Sequence, residues 1–298
     1  MMSVAAGPLF KGVIPALITP LRDGTLDEDA FTRLLERQIA AGVDAVVPVG
    51  TTGEGATLTD AEADRVVERT IEIAAGRVRV IAGCGSPSTA KAIERVRHAK
   101  TVGADGALVV TPYYNRPGQP GLIAHFEAIA EAVQLPILLY NVPGRTGIDM
   151  TDDTVIHLAK HPNIVGIKDA TGDLGRVSTQ RTRIDKPFAL ISGDDPSWPG
   201  YQAQGGHGVI SVTANVAPEA MVALRDAVDA GDWATARHWQ DRLIALHKAM
   251  FVEASPGPAK YALSKLGLCA DELRLPLVSI SDGARGVIDA ALRDAGLI

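Results

Sequence analysis

A lysine, Lys168, closes the apolar run Ile164-Val165-Gly166-Ile167 and is followed at once by Asp169-Ala170-Thr171-Gly172. An amine at the end of a buried strand can serve as a nucleophile. Desolvation at the mouth of a hydrophobic core disfavours an ammonium, and the lone pair so freed attacks a carbonyl carbon. The same placement also suits a lysine that merely snorkels, its stem apolar and its head in water. Taken alone, Lys168 favours the snorkelling reading. Its neighbours along the chain favour the first.

Other residues able to do chemistry follow similar apolar runs. Gly50-Thr51-Thr52-Gly53-Glu54-Gly55 combines glycines that permit a tight turn with hydroxyls and successive N–H groups able to hold a carboxylate, although a generic Gly/Thr turn has the same composition. Thr111-Pro112-Tyr113-Tyr114-Asn115-Arg116-Pro117 holds two tyrosines between prolines, suited to proton transfer or to packing at an interface. In Tyr140-Asn141-Val142-Pro143-Gly144-Arg145-Thr146-Gly147, a guanidinium on a Pro/Gly loop can grip a carboxylate or form a surface ion pair. Ser192-Gly193-Asp194-Asp195 and the glycine-rich stretch Gly205–Asn215 complete the set. The seven histidines are scattered, His207 reads as structural or as support behind a site rather than as a ligand, and no cluster has metal-ligand spacing. A metal-dependent mechanism is disfavoured.

The elements that must position these groups are legible as apolar runs: Gly12–Ile18, Ala45–Val49, Val78–Ala82, Ala107–Val110, Ile137–Tyr140, Ile164–Lys168, Phe188–Ile191 and Gly208–Val212. They do not alternate, so they predict strands buried on both faces, as in a parallel sheet. Between them lie amphipathic helical patterns. Thr59-Asp60-Ala61-Glu62 predicts a capping box, with Gly76 as the stop. Ser88 and Thr151 predict further caps, and Gly103 ends the helix begun at Ser88. Strands alternating with helices in this way predict an α/β fold, a (β/α)8 TIM barrel rather than an open doubly wound sheet, although strand count alone does not prove closure. In the barrel the chemistry gathers at the C-terminal ends of the strands. If the fifth and sixth runs are adjacent, the Tyr140 phenol comes near the Lys168 amine. Residues 218–250, 257–267 and 283–296 read as helices. We therefore expect a catalytic barrel over 1–217, with the last barrel helix and an α-helical C-terminal extension over 218–298.

Composition narrows the function further. The 298 residues are 46% apolar and 21% charged, with a net charge of -6 and no basic block, which disfavours nucleic-acid binding. Cys84 and Cys269 are too few for a disulfide framework and read as buried or half-buried thiols. Met1 to Phe10 lacks the pattern of a secretory signal, and no apolar run approaches a membrane span. A cytoplasmic protein is expected.

Taken together, Gly12–Pro20, the Gly50–Glu54 turn, Tyr113–Pro117, Tyr140–Gly147, Gly166-Ile167-Lys168 and Gly205–Val216 resemble the pyruvate-dependent class I aldolases, the family of N-acetylneuraminate lyase. The resemblance runs through nearly the whole chain. It implies that Lys168 forms a Schiff base with pyruvate, so that no external cofactor is needed. On the same resemblance, the resulting enamine is expected to add to aspartate 4-semialdehyde and form 4-hydroxy-tetrahydrodipicolinate, a step of lysine and diaminopimelate biosynthesis. It implies a proton relay of Tyr140, Thr52 and Tyr114, with Tyr114 reaching a neighbouring subunit's site in a homotetramer built as a dimer of dimers. Thr51, Gly193 and Ile210 match positions bordering the pyruvate pocket, and Arg145 the residue that holds the semialdehyde carboxylate.

Arg145 disfavours a second reading, a lyase acting on a 2-keto-3-deoxy sugar acid. The intact set Lys168, Tyr140, Thr52 and Tyr114 disfavours a third, an inactive barrel serving as a binding protein. Where lysine-inhibited relatives bind their effector, the matching positions here are Lys91, Pro87, Asp60 and Ala63. A lysine in place of an acid repels the effector's ammonium, so weak or absent feedback inhibition is expected.

Overall fold

The computed structural model describes residues 7–298, so the reading of the first ten residues falls partly outside the described residues. Each of the eight apolar runs forms a strand: β1 Gly12–Pro15, β2 Ala45–Val46, β3 Arg79–Gly83, β4 Gly106–Val110, β5 Ile137–Asn141, β6 Ile164–Asp169, β7 Ala189–Ser192 and β8 Gly208–Ser211. Burial on both faces explains their composition. Ile137, Leu138, Leu139, Ile164 and Ile167 are all fully buried, although they point alternately to the two sides of the sheet.

The strands pair in the order β1-β8-β7-β6-β5-β4-β3-β2. A parallel bridge, Ala16 to Val47, lies just past the ends of β1 and β2 and returns the order to its start. A parallel sheet that closes in this way is the (β/α)8 barrel the sequence predicts. Helices follow the strands: α1 Glu28–Ala41, α2 Asp60–Ala74, α3 Thr89–Val102, α4 Gln119–Ala132, α5 Asp152–Leu158, α6 Gly175–Arg183, α7 Trp198–Ala203, α8 Pro218–Asp229, α9 Trp233–Ala249, α10 Gly257–Lys265 and α11 Asp282–Asp294.

By its contacts the chain forms two compact units, one of the described residues up to Gly12 with Ile81–Ile210, the other of Val13–Val80 with Ser211–Ile298. The first holds a continuous parallel ladder. Val110 lies opposite Tyr140, Tyr140 opposite Lys168, Lys168 opposite Ile191, and Ile191 opposite Gly208. Residues in one such row point to the same face, so this register sets Tyr140 and Lys168 side by side. The second unit carries the pairing of β2 with Arg79 and Val80, a small antiparallel hairpin (Leu21–Arg22 with Thr25–Leu26), and the C-terminal helices.

Local signals hold with a few shifts. Thr59 and Glu62 make both hydrogen bonds of a capping box, and Ser88 and Thr151 cap α3 and α5 by accepting from the Lys91 and Thr154 N–H groups. Gly103 is the left-handed cap of α3. The corresponding cap of α2 is Ala75, one residue before the expected Gly76. The strand read as Ala45–Val49 ends at Val46, because the chain turns through a left-handed Val49 with φ 57°. The span read as helical over 218–250 is two helices. Gly231, at φ 71°, breaks it, and the Asp232 side chain caps the next helix by accepting from the Thr235 N–H. No helix among the described residues is long and apolar enough to cross a membrane.

Candidate active site

In the first unit, Lys168 is buried on β6 beside the equally buried Tyr140 of β5. Its Nζ lies 4.2 Å from the centroid of the Tyr140 ring, over the aromatic face. Space beside the lysine stem depends on Gly193, immediately after β7. A Cβ there would stand 2.7 Å from the Ala170 Cβ and 3.0 Å from the Lys168 Cε, closer than side chains tolerate. Ile210 is buried on β8. Arg145 lies in the single helical turn Pro143–Thr146 after β5, exposed, and no ion pair among the described residues engages it. The surface ion pair considered for it from sequence is therefore not formed among the described residues.

Tyr114 is 94% exposed and sits at a left-handed φ of 68°, with Arg116 nearby at 44°. Such backbone is costly for residues with a Cβ and persists where surroundings hold it. The Asn115 side chain supplies one tether, donating to the Pro87 carbonyl at 3.1 Å. Tyr113 is far less exposed, at 37%.

In the second unit, Thr51 and Thr52 occupy the turn after β2. Thr51 is exposed and Thr52 buried. The turn is knitted by the Gly53 and Gly55 N–H groups, both donating to the Gly50 carbonyl (3.1 and 3.2 Å). The Thr19 hydroxyl donates to the Gly53 carbonyl at 2.7 Å. The close approach requires glycine at Gly55, where a Cβ would meet the Val49 carbonyl oxygen at 2.5 Å.

Asp169, next to the lysine, points to the opposite face, as strand alternation requires. Thr171 donates to its carboxylate from both the N–H (2.8 Å) and the hydroxyl (2.6 Å). Arg176 Nε lies 3.3 Å from its other oxygen, an ion pair too poorly aligned to count as a hydrogen bond. Burial pushes the Asp169 carboxyl up, against the opposing pull of Thr171 and Arg176. Arg176 also bonds both oxygens of Asp149 (2.8 and 3.0 Å) and pairs with Asp152 at 3.3 Å. Asp149 accepts from the Asn141 amide at 2.7 Å, which links this cluster to the loop that carries Arg145. Sequence reading did not find Arg176, because one arginine on a helix carries no motif.

His207 is structural, as expected. Its Nδ1 accepts the Leu190 N–H at 3.0 Å, and burial lowers its pKa. Cys84 is buried and Cys269 partly so, neither in a disulfide, with burial raising the Cys269 pKa to about 11. Lys91 lies in the first turn of α3, Pro87 just before that helix, and Asp60 and Ala63 in the first turn of α2. No group of three or more His, Cys, Asp or Glu side chains among the described residues is placed to hold a metal ion.

A buried lysine beside a tyrosine at the end of a parallel strand, next to a glycine-made space, is an arrangement for imine chemistry on a small carbonyl compound. Known proteins agree. The profile of the dihydrodipicolinate synthetase family matches residues 9–295. A 4-hydroxy-tetrahydrodipicolinate synthase from Phenylobacterium zucineum is 62% identical, over 98% of this chain and 99% of its own. The chloride-inhibited dihydrodipicolinate synthase of Acinetobacter baumannii, solved with pyruvate, is 45% identical with a TM-score of 0.94, covering 97% of this chain and 99% of that one. A monomeric dihydrodipicolinate synthase variant superposes with a TM-score of 0.95 at 40% identity, covering 97% and 98% of the two chains. The chain therefore belongs to the dihydrodipicolinate synthetase family.

Proposed function

We propose that this enzyme condenses pyruvate with aspartate 4-semialdehyde to form 4-hydroxy-tetrahydrodipicolinate, in lysine and diaminopimelate biosynthesis. The Lys168 amine adds to the pyruvate ketone and water leaves, giving an iminium ion. Loss of a methyl proton gives the enamine, whose carbon attacks the aldehyde. The amino group of the semialdehyde then adds to the imine carbon, closes the ring and releases Lys168. The chemistry needs no external cofactor, because the iminium formed on the lysine is the electron sink.

Tyr140, Thr52 and Tyr114 carry protons between these intermediates. Thr51, Gly193 and Ile210 border the pyruvate, and Arg145 holds the semialdehyde carboxylate. The observation that carries the reading is the in-register pairing of Lys168 with Tyr140, which leaves the amine over the ring. The exposed aromatic Tyr114, on strained backbone, fits a role in a neighbouring subunit's site, and we take the working form to be a dimer of dimers. In this reading residues 1–217 are the catalytic barrel, 218–298 the last barrel helix and extension, and the protein acts in the cytoplasm.

A screen of aldehyde acceptors with pyruvate tests the substrate. Aspartate semialdehyde is expected to be turned over far faster than any polyhydroxylated aldehyde. Arg145→Ala should raise the semialdehyde KM by about 10-fold or more, the scale of one lost charge-assisted contact, with pyruvate KM little changed. A preference for sugar-derived aldehydes would replace this reading with the sugar-acid lyase. Lys91 at the effector position leads us to expect weak feedback, and a lysine titration with a half-effect below millimolar would contradict that.

A further inference from the structure

The turn that carries Thr51 and Thr52 is held from the C-terminal part of its own unit. Val49 and Glu54, at its two ends, have φ of 57° and 55°, values that side-chain-bearing residues keep only where their surroundings over-determine them. The Glu54 side chain is buried, and so is its ion-pair partner Lys260 of α10. Lys260 Nζ also donates to the Glu272 carbonyl at 2.8 Å, and the Arg274 backbone N–H donates to the second Glu54 oxygen at 3.0 Å. The Arg274 guanidinium reaches the Thr57 and Gly24 carbonyls (3.3 and 2.6 Å) and grips both oxygens of Glu62 (2.7 and 2.8 Å). Glu62 is the capping-box residue of α2, the helix into which the turn runs. A buried ion pair is commonly matched in stability by apolar residues of similar volume, so its presence here calls for a role other than stability.

We infer that Lys260 and Arg274 are positioning residues for the condensation, fixing the Thr51–Thr52 turn through Glu54 and Glu62. The C-terminal extension is then a clamp on the active-site turn. The inference rests on the roles proposed above for the two threonines. Misplacing a reacting group by about 1 Å costs on the order of 100-fold in rate.

The test uses the full-length protein with both members of the pair replaced, Glu54→Gln with Lys260→Met, so that no unpaired charge is left buried. A melting temperature near wild type, a kcat lowered by about 30- to 100-fold and a raised pyruvate KM are expected. Adding Thr52→Val should cause less than about a twofold further loss, because both changes act through one turn. A stable double variant with wild-type kcat and KM, or losses that multiply with Thr52→Val, would overturn the clamp. Should the double variant not fold, the partly exposed Arg274→Gln gives the same reading. A loss of about 5- to 10-fold that does not multiply with Thr52→Val supports the clamp, and wild-type activity overturns it. If Thr52→Val alone keeps wild-type kcat, the relay reading fails and the clamp fails with it. If Thr52→Val is impaired but the clamp variants are not, only the clamp fails.

Discussion

Lys168→Ala is expected to lower the condensation rate by about 10^5-fold, roughly 7 kcal/mol, while the protein remains folded. The size follows from the role. Removing the nucleophile of a covalent mechanism takes away every step that passes through the imine, and the remaining groups only bind substrate. The fold should survive because no ion pair or hydrogen bond among the described residues depends on this amine. It rests instead over the face of the Tyr140 ring. Its removal leaves no ion-pair partner stranded, so thermal stability should change little. Folded Lys168→Ala protein retaining more than about 1% of the wild-type rate would contradict this role.

Lys260→Met alone should be the most damaging single change to stability, at about 3–5 kcal/mol. The cost is that of an uncompensated buried charge. Lys260 has no exposed side-chain surface and Glu54 almost none, so removing the lysine strands a carboxylate where water cannot reach it. The Glu272 carbonyl loses its donor as well. Adding Glu54→Gln should recover most of the loss, since the glutamine is neutral and still accepts from the Arg274 N–H. Urea unfolding followed by circular dichroism measures both variants. A cost below about 1 kcal/mol for Lys260→Met would mean that Glu54 finds water or another partner.

Some of this architecture was open to inspection in the sequence. The eight strands were legible because a sheet covered on both faces must be apolar throughout, and Ile137–Asn141 and Ile164–Asp169 satisfy that until Tyr140 and Lys168. Helix starts were legible where a side chain completes the cap locally, as at Thr59, Ser88 and Thr151. Strand ends were not. Pro48 and Val49 follow Val47 and look like more strand by composition, yet Val47 makes the last bridge to the sheet and the chain then turns through a left-handed Val49. Segments at or after several strand ends drew attention to Thr51, Thr52, Tyr114, Tyr140, Arg145 and Gly193, and the family resemblance supplied the roles proposed for them.

What escaped was the support behind those residues. Arg176 meets Asp149, Asp152 and Asp169 only because strand and helix bring separate segments together. Lys260 sits in a helix whose sequence, Gly257-Pro258-Ala259-Lys260-Tyr261, gives no sign that its charge is buried against a residue more than two hundred positions earlier. Long-range ion pairs of this kind have no local period or spacing, so no pattern announces them.

Borohydride trapping with pyruvate, followed by peptide mass mapping, decides whether Lys168 forms the Schiff base. A reduced pyruvyl adduct is expected on the peptide that contains Lys168 in the wild type, and none in Lys168→Ala. Folded wild-type protein that traps no pyruvate, or traps it on another lysine, would contradict that role for Lys168.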